Sequence, residues 1–209
     1  MHSNSSRHGA RTQELRRRIA LEAARLMSEH GIRDFHLAKR KAAERLGAGD
    51  DVALPKNAEI EQALREHQRL FQGDEQPQHL RHLREIAREA MRFFTPFEPR
   101  LVGAVLDGTA DKHSAVCLHV FSDPPEAVTT FLLEQRIPYE EQNRRLRMSH
   151  DVQEEFPVLL FSADDVAIDL TVLPRDAIRQ APLDRIDERP MRRATLAALE
   201  QLLGESPAA

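Results

Sequence analysis

The sequence predicts an α+β fold, with an N-terminal helical module followed by a mixed β-sheet with packed helices. Three observations carry this. Apolar residues recur at helical spacing as far as Phe94, Pro96 and Pro99 then end that pattern, and from Arg100 onward short runs alternate as half-buried strands do. With 41% apolar and 31% charged residues in 209, the chain can bury a core and remain soluble. No stretch nears the roughly 18 apolar residues of a membrane span. The start, MHSNSSRHGART, lacks the apolar run of a secretory signal, so a cytoplasmic location and no membrane partner are expected. Cys117 is the single cysteine, which excludes an internal disulfide and a multi-thiolate zinc site.

Residues 1–11 carry no periodicity and are expected to form a flexible tail. Thr12 is placed to cap a helix with Leu15, Ile19, Ala23, Leu26 and Met27 on one face, and Gly31 to end it. A second helix is expected over Leu37–Leu46, stopped by Gly47, and Ala48–Lys56 reads as a loop through Asp50, Asp51 and Pro55. Asn57 sits at the start of a third helix with Ile60, Leu64 and Phe71 inward. A fourth runs from about Gln78 to Phe94 with Leu80, Leu83, Ile86, Ala87, Ala90 and Met91 inward. The helical module is thus 12–96 and the α/β domain 97–204, with 205–209 as a tail.

In the second half, Leu101 and Val102 open a strand. The run 115–121 puts Val116, Leu118 and Val120 on one face and Ala115, Cys117, His119 and Phe121 on the other. Pro124 and Pro125 start a helix to Glu134, and Tyr139–Met148 is ambiguous between strand and loop. Phe156–Ser162 and Val166–Leu173 form a hairpin about Ala163, Asp164 and Asp165, and a last helix follows Pro190 to about Leu203. Alternation in Val116–Phe121 and Val166–Leu173 predicts neighbouring strands on a common core.

Charge is uneven. Residues 1–47 hold eleven Lys/Arg against five acids, a net +6, within a chain of net −4. Arg16, Arg17, Arg18, Lys39, Arg40 and Lys41 are the candidate nucleic-acid contacts, although solvated helix faces produce the same split.

The segment Gly103-Ala104-Val105-Leu106-Asp107-Gly108-Thr109-Ala110-Asp111-Lys112-His113-Ser114 leads into the strand at 115–121. Two glycines five residues apart at a strand end let backbone N–H groups approach a phosphate, with Thr109 and Ser114 as hydroxyl donors. A turn linking two strands has the same composition. The run resembles the nucleotidyltransferase superfamily, the polymerase-beta-like enzymes, over roughly residues 100–173. Gly103 and Ala104 match the Gly-Ser pair of its signature, Gly108, Thr109 and Ala110 its second step, and Ser114-Ala115-Val116-Cys117-Leu118 the entry to its carboxylate strand. Val166-Ala167-Ile168-Asp169-Leu170-Thr171-Val172 matches the later strand bearing the third carboxylate.

That resemblance implies a sheet with packed helices, a nucleotide ligand, and Asp169 as the remaining catalytic carboxylate. It also shows what is missing. The two strand carboxylates that hold Mg²⁺ in the family are here Ala115 and Cys117, and neither a methyl nor a thiol ligates a hard cation. A degenerate active site, a pseudoenzyme that binds a nucleotide or nucleic acid, is the first expectation. Asp107, Asp111, His113, Cys117 and His119 are candidate substitutes should the site be retooled, with Mg²⁺ as cofactor only then. Cys117 and His119 share a strand face, the spacing of a soft-metal pair or a thiol with its base, and equally of a buried Cys beside a satisfied His. Asp169, among apolar neighbours, requires a histidine or arginine partner. Arg175, Arg192 and Arg193 could face a phosphate, the last two from early in the final helix.

The stretch Ala23–Ile32 followed by Lys41–Gly47 resembles the opening of bacterial helix-turn-helix regulators. Nine residues, Ala48–Lys56, then intervene before a helix bearing Glu59, Glu61 and Glu66, a poor surface for a DNA groove. The expected alternatives are therefore an active nucleotidyltransferase with rearranged ligands, a nucleic-acid-binding regulator acting through the basic helices, or a helical module that binds a protein partner.

Overall fold

The computed structural model describes residues 3–49, 53–71 and 75–204. Asp50, Asp51, the expected tail 205–209 and the inward side chain of Phe71 lie outside what is described. The chain forms two compact units, one of Met1–Asp74 with Arg185–Asp187, the other of Glu75–Asp184 with Glu188–Ala209.

The first unit is helical: α1 (Ser3–His30), α2 (Phe35–Arg45) and α3 (Asn57–Phe71). Ile19, Ala23, Ala24 and Leu26 of α1 pack on Ala38 and Ala42 of α2 and on Ile60 and Leu64 of α3. Gly31 takes φ +65°, which ends α1 as its position predicts. Asp34 caps α2 by accepting the Leu37 N–H at 2.8 Å. One expectation is corrected: helix α1 begins at Ser3, so Thr12 lies inside it and residues 3–11 are helical. Helix needs no apolar periodicity to propagate once a packed segment has nucleated it.

The second unit carries α4 (Glu75–Phe93), β1 (Arg100–Val102), α5 (Ala104–Asp107), β2 (Val116–Phe121), α6 (Glu126–Glu134), β3 (Glu140–Arg147), β4 (Gln153–Ala163), β5 (Val166–Leu173) and α7 (Leu196–Gly204). The sheet order is β1-β2-β5-β4-β3. Only β2 and β5 are parallel, and they are neighbours as their alternation predicts; the other pairs are antiparallel. Asp164 and Asp165 both adopt positive φ in the β4–β5 hairpin, the primed turn that suits a twisted two-strand connection.

Two boundaries move. Helix α4 belongs to the sheet unit, because Leu83, Ile86, Ala87, Met91 and Phe94 are buried in one cluster with Val116, Leu118, Val120, Leu170 and Val172. The last helix starts at Leu196. The segment before it is extended, with Ala194 exchanging two backbone hydrogen bonds with Leu101 at 2.9 Å each. The ambiguous run 139–148 is strand β3, paired along its whole length with β4.

The sheet therefore has one face under helices and one that carries Cys117, His119, Asp169 and Thr171. Leu118 is fully buried at the centre of the covered face. Leu118→Ala should lower stability by about 3 kcal/mol in urea unfolding; a loss below about 1 kcal/mol would mean the helices do not close on that face.

Candidate functional site

Residues opposite one another in a sheet project to the same side, so the register assembles the site. Cys117 stands opposite Asp169 and His119 opposite Thr171, while Val102 and Arg100 of β1 stand opposite Cys117 and His119. Gly103 follows at the end of β1. Its φ of +71° with ψ −155° is a conformation open to glycine alone, and a Cβ there would lie 3.8 Å from that of Cys117.

Asp169 sits on the central strand with its side chain 14% exposed. Its partner is Arg144 of β3, which reaches over β4 and grips both carboxylate oxygens, Nη1 to Oδ1 at 2.9 Å and Nη2 to Oδ2 at 2.6 Å. Nη1 also donates to Thr171 Oγ1 at 3.3 Å. The hydrogen bond from Arg144 to Asp169 raises the guanidinium pKa, partial burial opposes it, and the charges of Asp169 and Cys117 add to the rise. The two-pronged geometry is the strong form of the carboxylate–guanidinium pair.

His119 is buried, and Arg193 Nε donates to its Nδ1 at 3.3 Å. Because arginine cannot accept, the ring proton must sit on Nε2. Burial, then the charges of Arg193 and Arg144, lower the His119 pKa to about 3, so the ring is neutral at physiological pH. Arg193 also donates to the Ala177 carbonyl at 2.7 Å and lies over the Phe121 ring, 5.2 Å from its centroid. Its Nη2 is buried without a hydrogen-bond partner, and no carboxylate pairs with it among the described residues. Desolvation, then Arg100, lower its pKa to about 10, which leaves it charged at neutral pH. Arg193 thus stands on this face from an extended segment, not from a helix.

The rest of the glycine turn is bound into the fold. The Asp107 N–H goes to Gly103 O at 2.9 Å, and the N–H groups of Gly108 and Thr109 both go to Ala104 O. Gly108, at φ +81°, faces Leu80 and Arg84 of α4, and Gln76 donates to the carbonyls of Gly108 and Ala110 at 3.1 Å each. Thr109 and Ser114 are buried. Ser114 Oγ accepts the Asp111 N–H at 2.9 Å and donates to Asp111 Oδ1, which also takes the His113 N–H at 2.9 Å. Asp107 pairs with Arg192 at 2.9 Å. Of the expected phosphate-binding and substitute residues, the structure brings Gly103, Cys117 and His119 to the Asp169 face; Gly108, Thr109, Asp111 and Ser114 are held in the turn and against α4. Among the described residues no group of three or more His, Cys, Asp or Glu is placed to hold a metal ion.

In the helical unit Arg16 grips Glu59 through Nε at 3.0 Å and Nη2 at 2.5 Å. Partial burial lowers the pKa of the adjacent Lys39. Arg17, Arg18, Arg40 and Lys41 are exposed.

Sequence reasoning required a cation for Asp169 but did not find Arg144, because β3 offers arginines at 144, 145 and 147 and only the sheet order selects among them.

Two outcomes are expected. Arg144→Met should cost about 2–3 kcal/mol by stranding Asp169, and adding Asp169→Asn should recover most of it in a double-mutant cycle; additive losses would dismiss the pair. Between pH 6.5 and about 3 an unfolded His119 takes a proton that the folded ring refuses, so stability falls as pH falls. By pH 5 this amounts to about 2 kcal/mol. Urea unfolding at pH 7 and pH 5 should show that component in the wild type and not in His119→Gln. Comparison with known proteins gives no match to any family model, curated protein or solved structure.

Proposed function

We propose that the sheet unit keeps a nucleotidyltransferase-like frame and uses it to bind the phosphate of a nucleotide without a metal ion and without transferring it. The observation that carries this reading is the guanidinium of Arg144 clamped on Asp169, beside Cys117. In the family that the sequence resembles, the third carboxylate must converge with strand carboxylates on a divalent cation. Cys117 and Asp169 occupy such converging positions, on parallel neighbours in direct register. A positive group fills the place of the cation and is fixed to the one carboxylate left.

Arg144 retains its Nε–H and a second Nη2–H after both bonds to Asp169, and these suit a phosphate oxygen. Arg193 and Arg100 lie beside His119 on the same face. Asp169 is the only carboxylate on that face of β1, β2 and β5; Glu140 of β3 and Glu154 of β4 share the face and are exposed. The local excess of guanidinium about His119 favours an anion there, and Gly103 leaves the adjoining backbone without a side chain.

A second reading rests on Arg17, Arg18, Arg40 and Lys41, four exposed cations of the helical unit that make no ion pair among the described residues, and assigns that unit a nucleic-acid contact. Its sign would be RNA or DNA binding whose salt slope falls in Arg17→Ala/Arg18→Ala.

Calorimetry of the wild type with nucleoside triphosphates in excess chelator should detect binding that Arg144→Met weakens, and labelled-nucleotide transfer with Mg²⁺ should stay at background. Absence of nucleotide binding by folded protein would leave likeness of frame without likeness of ligand. The frame has its own test. Ala115→Asp/Cys117→Asp/Arg144→Ala frees Asp169 and sets a carboxylate on the neighbouring strand about 5 Å away, so this variant should bind Mn²⁺ where the wild type does not. Failure of the folded variant to bind would remove the frame from the argument.

A further inference from the structure

The two edges of the sheet are unlike. On β1, Ala194 bridges to Leu101 along the outer side. On the other side β3 is the outermost strand, eight residues long, paired with β4 in unbroken register from Glu140 opposite Leu160 to Arg147 opposite Gln153. It contains neither proline nor bulge, and Glu140, Glu141, Gln142 and Asn143 are exposed. At its last residue the edge is taken, because the Leu183 N–H donates to the Arg147 carbonyl at 2.7 Å. From Glu140 to Leu146 it is a regular edge, and such an edge is a template for another strand unless something blunts it.

Its charges are sorted along the strand, Glu140 and Glu141 at the start, Arg144, Arg145 and Arg147 at the end. A parallel neighbour of the same sequence would set like against like, whereas an antiparallel one sets acid against base. We propose that β3 pairs antiparallel with β3 of a second copy of this chain, with Asn143 opposite Asn143 on the two-fold axis. Two-fold symmetry requires that some residue face itself, and of the neutral residues of β3, Gln142, Asn143 and Leu146, Asn143 is the one that sets Glu141 opposite the partner's Arg145. Glu141 then stands opposite the partner's Arg145, and Gln142 opposite the partner's Arg144. Within its own chain Glu141 pairs with no cation among the described residues, while Arg145 already pairs with Glu155 of β4 at 2.6 Å. The union makes a row Glu155, Arg145, then the partner's Glu141, across three adjacent strands. A side-chain amide pair at Asn143 completes the centre. This proposal is independent of the nucleotide reading.

Sedimentation velocity of the full chain from about 1 to about 200 μM, the range in which weak complexes dissociate, should show a concentration-dependent dimer. Glu141→Arg sets Arg against Arg twice across the axis, and Arg145→Glu sets Glu against Glu twice. Each alone should weaken the dimer at least about tenfold with the circular dichroism unchanged. Mixed in equal amounts, the two variants restore both attractive pairs and should form a heterodimer. Asn143→Cys should give a reducible disulfide dimer under mild oxidation faster than the wild type, whose lone Cys117 does not lie on β3. A wild type that stays monomeric throughout overturns the proposal and leaves the edge to a strand of another protein. A dimer that ignores both charge reversals, or variants that remain apart on mixing, overturns it equally.

Discussion

A carboxylate on the middle strand of a five-stranded sheet is the constraint around which the sheet unit is arranged. Asp169 has in-register neighbours on both sides, Cys117 on β2 and Leu160 on β4, and neither can offset its charge. Left alone there, a carboxylate would cost the sheet stability. Arg144 answers from the far edge, laying its stem over β4 and its guanidinium on the carboxylate. One interaction thereby links edge strand to central strand and keeps the Cys117–Asp169 face polar, while the reverse face closes under helices. His119, on the same face, is kept neutral first by burial, and the charges of Arg193 and then Arg144 add to that.

Much of the fold was legible because it follows from period alone. The alternation of Val116–Phe121 and Val166–Leu173 could be satisfied only by burying one face of each, and they pair in parallel. Gly31 and Gly47, each at positive φ, end helices where the sequence places the ends. The failures share a cause, which is that local pattern does not say what an element packs on. Leu83, Ile86 and Met91 make the same amphipathic stripe whether α4 joins the helical unit or the sheet. Likewise the residues after Pro190 would suit a helix start, until Leu101 offers Ala194 a strand partner.

The site was legible to a smaller degree for a related reason. A glycine signals an unusual dihedral, and both Gly103 and Gly108 have one; it does not signal what the freed space serves. At Gly103 the turn borders Cys117 on the Asp169 face. At Gly108 the same permission lets the chain lie against Leu80 and Arg84, with its carbonyl taken by Gln76. Thr109, a hydroxyl where a phosphate donor was expected, is buried. Asp169 and its need of a partner could be read from its apolar neighbours, but the partner lies 25 residues away in sequence, and only sheet order brings it there.

On the proposed reading, what a guanidinium can and cannot do in place of a metal ion sets the chemistry open to this face. Like a divalent ion it neutralises phosphate oxygens, and its planar fork does so with directionality. Unlike Mg²⁺ it does not coordinate a hydroxyl, so it lowers that group's pKa far less and does not draw nucleophile and leaving oxygen onto one centre. The nearest candidate base, His119, is neutral, yet its Nδ1 lone pair is occupied by Arg193 and its basicity is lowered far below that of an ordinary imidazole. On the proposed reading, guanidiniums beside an imidazole that is neutral and already hydrogen-bonded suit recognition of an anion better than transfer of a group.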